Sequence, residues 1–504
     1  SGSDFFVGGL VGLLDLLTPT GEFSTVTNSY YDYDNGLING SKEYGIGSLR
    51  NTYLTNWLSN GKTFDLTSEG FSQEGEYYLL NNLDQFKAIR EISLTPEVKF
   101  KLNTDIDLTG DPGFRVHAFN STFDGGGYEV SNLNINLPDT LDRMVGLFSI
   151  LFSGGTVENL GVVNADVTGG YKVGILVGYN DSGTVNNCYT SGSVTGTYEE
   201  IGGLVGYNGY GSNVLNSSSS ATVLGEGGWN WGYALGGLVG FNIQSDITNS
   251  HSTGPVSFTD GEKLGGLVGY SEEGTIDNSY SSGLIDIDGY NYDIGGLVGH
   301  FETGEITDSY SMGTIEVTDE GGFNIGGLVG YGTYSDITNS YSTRDISTPE
   351  EYVGGLIGYS AYNTISSSYS TGSIIGTPTS SLIGGLLGQG ASEIITNSYS
   401  TTNVQGDDYI GGLIGRNYYN TTINNSYSAG TVSGTGTHVG GLTGDLDTGT
   451  ADNSFWDTQT SGMDTSDGGT PKDTIEMKTL STFNDTATDG LDVAWDIVSI
   501  GSFD

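Results

Sequence analysis

A six-residue phrase, Ile-Gly-Gly-Leu-Val-Gly in its fullest form, returns eleven times between residues 145 and 444. The copies start at Val145, Val173, Ile201, Leu235, Leu264, Ile294, Ile325, Val353, Ile383, Ile410 and Val439, so the period stays near 29 residues. A fixed period of this length is the signature of a solenoid, in which each unit buries its apolar face only against the units before and after it.

Within one period the chain runs Gly-Gly-Leu-Val-Gly-Tyr-Asn, a turn, Gly-Thr-Ile-Thr-Asn-Ser-Tyr-Ser-Thr-Gly, and then a β-branched run such as Thr314-Ile315-Glu316-Val317. Every apolar run is short and bounded by Gly, Ser, Asn or Asp, which is strand punctuation, and none has helical spacing. The expected fold is therefore all-β: a parallel β-helix with three short strands per turn of about 29 residues, closed by small capping segments containing short helices. At about 4.8 Å per rung, eleven turns make a rod of roughly 50–55 Å.

Three columns recur two residues apart. An apolar column runs through Val185, Ile247, Ile276, Ile306, Ile337, Ile365, Ile395 and Ile423. A polar ladder follows at Asn187, Asn249, Asn278, Asp308, Asn339, Ser367, Asn397 and Asn425, then an aromatic column at Tyr189, His251, Tyr280, Tyr310, Tyr341, Tyr369, Tyr399 and Tyr427. A strand alternates faces with period two, so all three are expected to point inward with the isoleucines, which makes the tyrosines core packing and not a glycan-binding strip. A second aromatic column (Tyr179, Tyr207, Phe241, Tyr270, Tyr331, Tyr359) is expected to face out at a corner, for packing or for lateral contact. The paired glycines suit sharp corners, through positive φ or a missing Cβ. They repeat in every rung with no following helix, which excludes a nucleotide-binding loop.

With 15 basic residues against 61 acidic ones the net charge is −46. Nucleic acid and anionic membranes both need a basic face and are excluded as partners. The acidic surface suits a salty or extracellular setting and could hold Ca²⁺ loosely; Glu272-Glu273 and Asp407-Asp408 form no EF-hand pattern and read as solvated charge. No other cofactor is expected, and no catalytic or cofactor-binding residue is assigned; metal ligands stay undetermined. The single cysteine, Cys188, stands where other rungs have Ser and reads as a small packed residue. The histidines His117, His251, His300 and His438 are scattered, with His251 and His300 replacing stacking residues. No apolar run approaches the roughly 18 residues of a membrane span. The start at Ser1, without Met or leader, is read as a processed, secreted form. Glycosylation triplets at Asn39, Asn120, Asn180, Asn216, Asn420, Asn424 and Asn484 carry little weight in so Asn-rich a chain.

The ends depart from the repeat. Residues 1–66 hold one stray unit (Val7–Gly12 with Val26–Tyr30) and a helical stretch near Ser48–Leu58. Residues 67–144 form a lead-in cap, with a helix from Asn82 to about Arg90 and strands within Phe100–Leu108 and Phe119–Ile135. The solenoid proper is 145–452. Residues 453–504 form a second cap, with a capping box at Asp473–Glu476 opening a helix to about Phe483 and a last strand at Trp495–Val498. The stray unit is expected to dock on the rod or on another subunit.

The unit Ile-Gly-Gly-Leu-Val-Gly…Asn-Ser-Tyr-Ser-Thr-Gly resembles the GLUG-repeat family of bacterial and archaeal surface proteins over residues 145–457, with family-like flanks at Phe119–Ile135 and Asn453–Gly462. The acidic, Gly- and Tyr-rich composition also resembles archaeal sheath or surface-layer subunits. The resemblance implies an exported cell-surface protein and carries no catalytic residues. The expectation is a non-enzymatic structural subunit of an extracellular envelope assembly (sheath, filament or surface layer) that self-associates head to tail or laterally, other envelope components being possible partners. The alternative is a surface adhesin or glycan-binding protein, and after it a polysaccharide-cleaving β-helix enzyme built on paired carboxylates.

Overall fold

The computed structural model describes residues 51–61, 63–138, 144–226, 233–319 and 321–495, together with the backbone of Tyr31–Asp32 and Ser48–Leu49. The stray unit at residues 7–30 lies outside these, as does the last strand expected beyond Trp495.

The repeat folds as the parallel β-solenoid that its period dictates. Each rung lays one strand on each of three walls. The first wall is an 11-stranded sheet running from Phe148–Leu151 to Thr443–Leu446, and the second is a 15-stranded sheet from Ser72–Glu74 to Thr450–Asp452. The third wall is built from shorter pieces, such as Tyr280–Ser281 followed by Ile285–Gly295. Register follows the repeat, with Ile276 pairing Ile306, Ile306 pairing Ile337 and Tyr310 pairing Tyr341, all in parallel, and it shifts on the third wall between Val162 and Ala165 and between Thr259 and Gly261. Among the described residues the one antiparallel pair is Ser72–Glu74 with Tyr77–Leu80, at the leading edge. A single apolar core runs up the inside from Trp57 to Trp456.

The paired glycines of the repeat phrase are needed for close approach, not for positive φ. A Cβ built at Gly266 would fall within 3.0 Å of the Gly296 carbonyl one rung away and of the Ser281 side chain. Repeating this in each Gly-Gly pair explains why the phrase cannot drift.

Helices close the leading end. Helix α1 spans Asn51–Ser59 and helix α2 spans Leu83–Ile92, close to the two expected helical stretches. Asn82 caps α2 by accepting from the Gln85 N–H, and Phe86, Ile89 and Ile92 plug the open core against Phe114 and Phe123. At the other end the capping box at Asp473 and Glu476 is formed, but it opens a single turn, Thr474–Met477, and Ser481–Asn484 follows as a separate one. Residues 465–467 cover the last edge of the first wall: Asp467 N–H donates to the Thr443 carbonyl, and Leu446 N–H donates to the Asp467 carboxylate. The Trp495 ring packs on Phe455 and Phe483 above the final rung.

Candidate interaction faces

The corner between the second and third walls overturns one expectation. The Asn ladder and the Tyr column do not point inward with the isoleucines. Asn249, Asn278, Asn339 and Asn397 all sit at φ near +50°, and one left-handed residue shifts the alternation by a step. Ile276 is buried, Asn278 is exposed, Ser279 is buried and Tyr280 is half-exposed, and later rungs repeat the sequence. Asn tolerates this conformation through its short polar side chain, which is why it holds the corner.

Outside, the rings form a continuous stack. From His251 through Tyr280, Tyr310, Tyr341, Tyr369 and Tyr399 to Tyr427, neighbouring centroids lie 4.6–5.0 Å apart with planes within 4° of parallel. The amides form a second exposed ladder: Asn278 Nδ2 donates to Asn249 Oδ1 at 2.6 Å and Asn425 Nδ2 to Asn397 Oδ1 at 3.2 Å. Because each ring covers its neighbour's face, solvent meets ring edges and hydroxyls. Carbohydrate stacking needs an open ring face, so the column is a hydrogen-bonding strip with an apolar body.

Inside the same corner runs a hydroxyl ladder. Ser279 N–H donates to Ser309 Oγ (3.1 Å), Ser309 N–H to Ser340 Oγ and Ser340 N–H to Ser368 Oγ (both 3.2 Å), while each hydroxyl donates to the carbonyl two residues back. Cys188 stands at the head of this ladder as expected, buried, with its thiol pushed up to about 12 by burial.

The second aromatic column does face outward, on the first wall. Tyr207, Phe241, Tyr270, His300, Tyr331 and Tyr359 stack at 4.5–5.1 Å. Near its start, Tyr179 and Tyr207 join Leu94, Ala118, Ile150 and Phe152 in an apolar cluster outside the main core, with Lys172 over the Tyr207 ring at 3.8 Å. Packing therefore claims its first rungs. Beyond them lies an exposed aromatic patch, where Tyr334 and Tyr362 stack at 4.9 Å beside exposed Tyr419 and Ile394.

The four histidines stay apart. His117 lies in a pocket of about 400 Å³ with Arg90 and Arg115, and burial pushes its pKa down to about 3. His251 and His300 are stacking substitutes as expected, and His300 Nδ1 meets Asp293 at 2.8 Å. His438 stacks on Tyr409 and bonds Asp408. Glu272 accepts from the Tyr270 hydroxyl (3.0 Å) and Glu273 from Gln244 (2.6 Å), while Asp407 accepts from the Thr435 hydroxyl, so both acidic pairs are engaged within the fold. Among the described residues no group of three or more His, Cys, Asp or Glu is placed to hold a metal ion, and no helix is long and apolar enough to cross a membrane. Of the glycosylation triplets, Asn180 is fully buried, donating to Asn208 at 2.8 Å, whereas Asn216, Asn420 and Asn484 are exposed.

Three buried polar features escaped the sequence reading. An interior amide ladder links Asn180, Asn208 and Asn242. Arg344, 1% exposed, donates to the Gly283, Thr314 and Gly296 carbonyls and to Ser281 Oγ, and burial lowers its pKa to about 9. The fully buried Glu393 accepts from the Asn363 N–H at 3.0 Å, and burial raises its pKa to about 8.

A stack of in-register parallel rungs around one core defines the class, a repeat β-solenoid. The GLUG motif matches six windows: residues 197–224, 232–258, 260–287, 321–347, 350–375 and 406–433. The repeat matched is the one the resemblance implied, although the matches begin at 197 and stop at 433, inside the 145–457 span. Halomucin from Haloquadratum walsbyi is 34% identical over 160 residues, covering 29% of this chain and 2% of halomucin. The chain thus spans a small fraction of that relative's length. A solved structure of a proposed immunoglobulin A1 protease from Bacteroides ovatus aligns over 52% of this chain and 85% of its own, at 22% identity and a TM-score of 0.39. A likeness that low carries no argument.

Proposed function

We propose that the chain is a rod-shaped structural component of the cell exterior, in a sheath, filament or surface layer, and that it associates with its own copies side by side. The observation that carries this reading is the constancy of the outer face: for seven rungs, from His251 to Tyr427, the same side chains return in register. A catalytic surface needs one unique constellation, whereas a contact surface profits from repetition. Among the described residues both ends of the rod are covered, so the sides are what it offers to a neighbour. The role is non-catalytic, and Ca²⁺ associates only loosely, along the acidic loops.

Light scattering and negative-stain electron microscopy of the purified chain in molar salt, with and without millimolar Ca²⁺, test the reading. Salt is needed because a charge of −46 repels its like until the Debye length falls to about 3 Å at 1 M. Paired or arrayed rods support it, and isolated rods under every condition overturn it. The patch at Tyr334, Tyr362 and Tyr419 favours a second reading, a glycan-binding adhesin. Retention on immobilised polysaccharides that is lost in Tyr362→Ala would select it.

A further inference from the structure

We infer that the exposed Asn/Tyr corner is the surface through which two copies of this chain pair, strip to strip about a two-fold axis; the inference rests on the self-association proposed above. Over the seven rungs from His251 to Tyr427 the corner presents four outward columns, whose members in the first of those rungs are Thr248, Asn249, His251 and Thr253. Asp277 and Asp308 are the only carboxylates in those columns. The corner between the third and first walls is acidic by contrast, carrying Glu262, Asp288, Asp319, Glu351, Asp407 and Asp408 over nearly the same length. Two rods with 61 acidic residues each meet least repulsion where their Asn/Tyr corners face each other, and depletion of charge marks the core of an interface.

The chemistry also selects a copy of the same chain as occupant. Amides and phenol hydroxyls each donate and accept, so the strip complements itself, as an isologous contact requires. A second rod shares the rung spacing of about 4.8 Å, so a contact made once repeats in every rung without falling out of step. A partner with any other period would match at only one or two rungs.

The size sets the strength. Seven rungs give a strip about 34 Å long and about 10 Å wide. Two such strips bury on the order of 700 Å², short of the ~1,200 Å² of a stable complex. Pairing is therefore weak and concentration-dependent, and it stops at two copies unless another face contributes.

The test is sedimentation of the full chain up to several hundred micromolar in molar salt, for wild type, for Thr343→Asp with Thr371→Asp, and for Glu316→Lys on the third wall as control. Thr343 and Thr371 flank the stack on the solvent side without joining it, so these variants keep the ladder, and an unchanged melting temperature verifies the fold. A dimer in wild type and control, with at least a tenfold weaker dimer in the double aspartate variant, is the expected result. Undiminished dimers in that variant overturn the strip and leave self-association standing. A wild type that stays monomeric throughout overturns both.

Discussion

Ser309 and Tyr310 are neighbours in sequence, yet they belong to opposite halves of one corner. The serine is fully buried and wired into its neighbours, its oxygen accepting from the rung before while its hydrogen satisfies its own chain. The tyrosine is half-exposed and stacks on Tyr280 and Tyr341 at 4.9 Å. Both ladders repeat with the same period, but the inner one satisfies backbone groups that no water can reach, and the outer one covers surface that water could cover instead. Regularity inside is thus a condition of folding, and regularity outside is left free for contact.

Substitutions can break that contrast. The largest effect is expected from Gly266→Val, whose Cβ would collide with the Gly296 carbonyl. Backbone cannot yield as a side chain does, so the loss should exceed the roughly 1–3 kcal/mol of ordinary overpacking and remove the cooperative transition from a calorimetric scan. Next comes Glu393. Its folded pKa of about 8 stands above the ordinary 4.5 because of burial, so the folded state holds a proton that the unfolded chain releases. Stability from this group is complete below about pH 4.5 and is lost as pH rises through 8, by roughly 5 kcal/mol. Denaturant midpoints between pH 4 and 9 should follow that fall, and Glu393→Gln should flatten it; a wild-type profile already flat would refute the assignment. Ser309→Ala strands the buried Ser279 N–H and should cost about 1–3 kcal/mol. Tyr341→Ala, outside, should cost only about 0.5–1 kcal/mol in the same denaturation assay. A Tyr341 effect as large as that of Ser309 would erase the distinction between the two ladders.

The architecture was legible because the period leaves almost nothing else that the chain can be. The facing of the corner was not. Strict alternation from Ile276 carries Asn278 and Tyr280 inward, and the step that spoils it is one backbone angle at Asn278, φ 45°. The hint lay in the residue type, since Asn recurring before Ser is the side chain that best tolerates a left-handed turn. Arg344 and Glu393 were hidden differently. Each stands once in a column that otherwise holds small residues: Gly313 and Gly372 flank Arg344 by a rung, and Asn363 and Thr421 flank Glu393. A repeat read for its consensus averages such positions away, and only a column-by-column reading exposes them. Of the candidate faces, the second aromatic column was placed correctly on the outside. Its packing against Ile150 and Phe152 depends on how the lead-in strands fold over the first rungs, which no local pattern encodes.

The cross-rung hydrogen bonds all run along the rod's length. A tensile load applied between its two ends would meet them one rung at a time and not all together. Each rung that gave way would release about 29 residues, on the order of 100 Å of slack, while the rest stayed folded. Anchored at one end and tugged at the other, such a molecule would behave as a graded shock absorber, lengthening in equal steps under a nearly constant force.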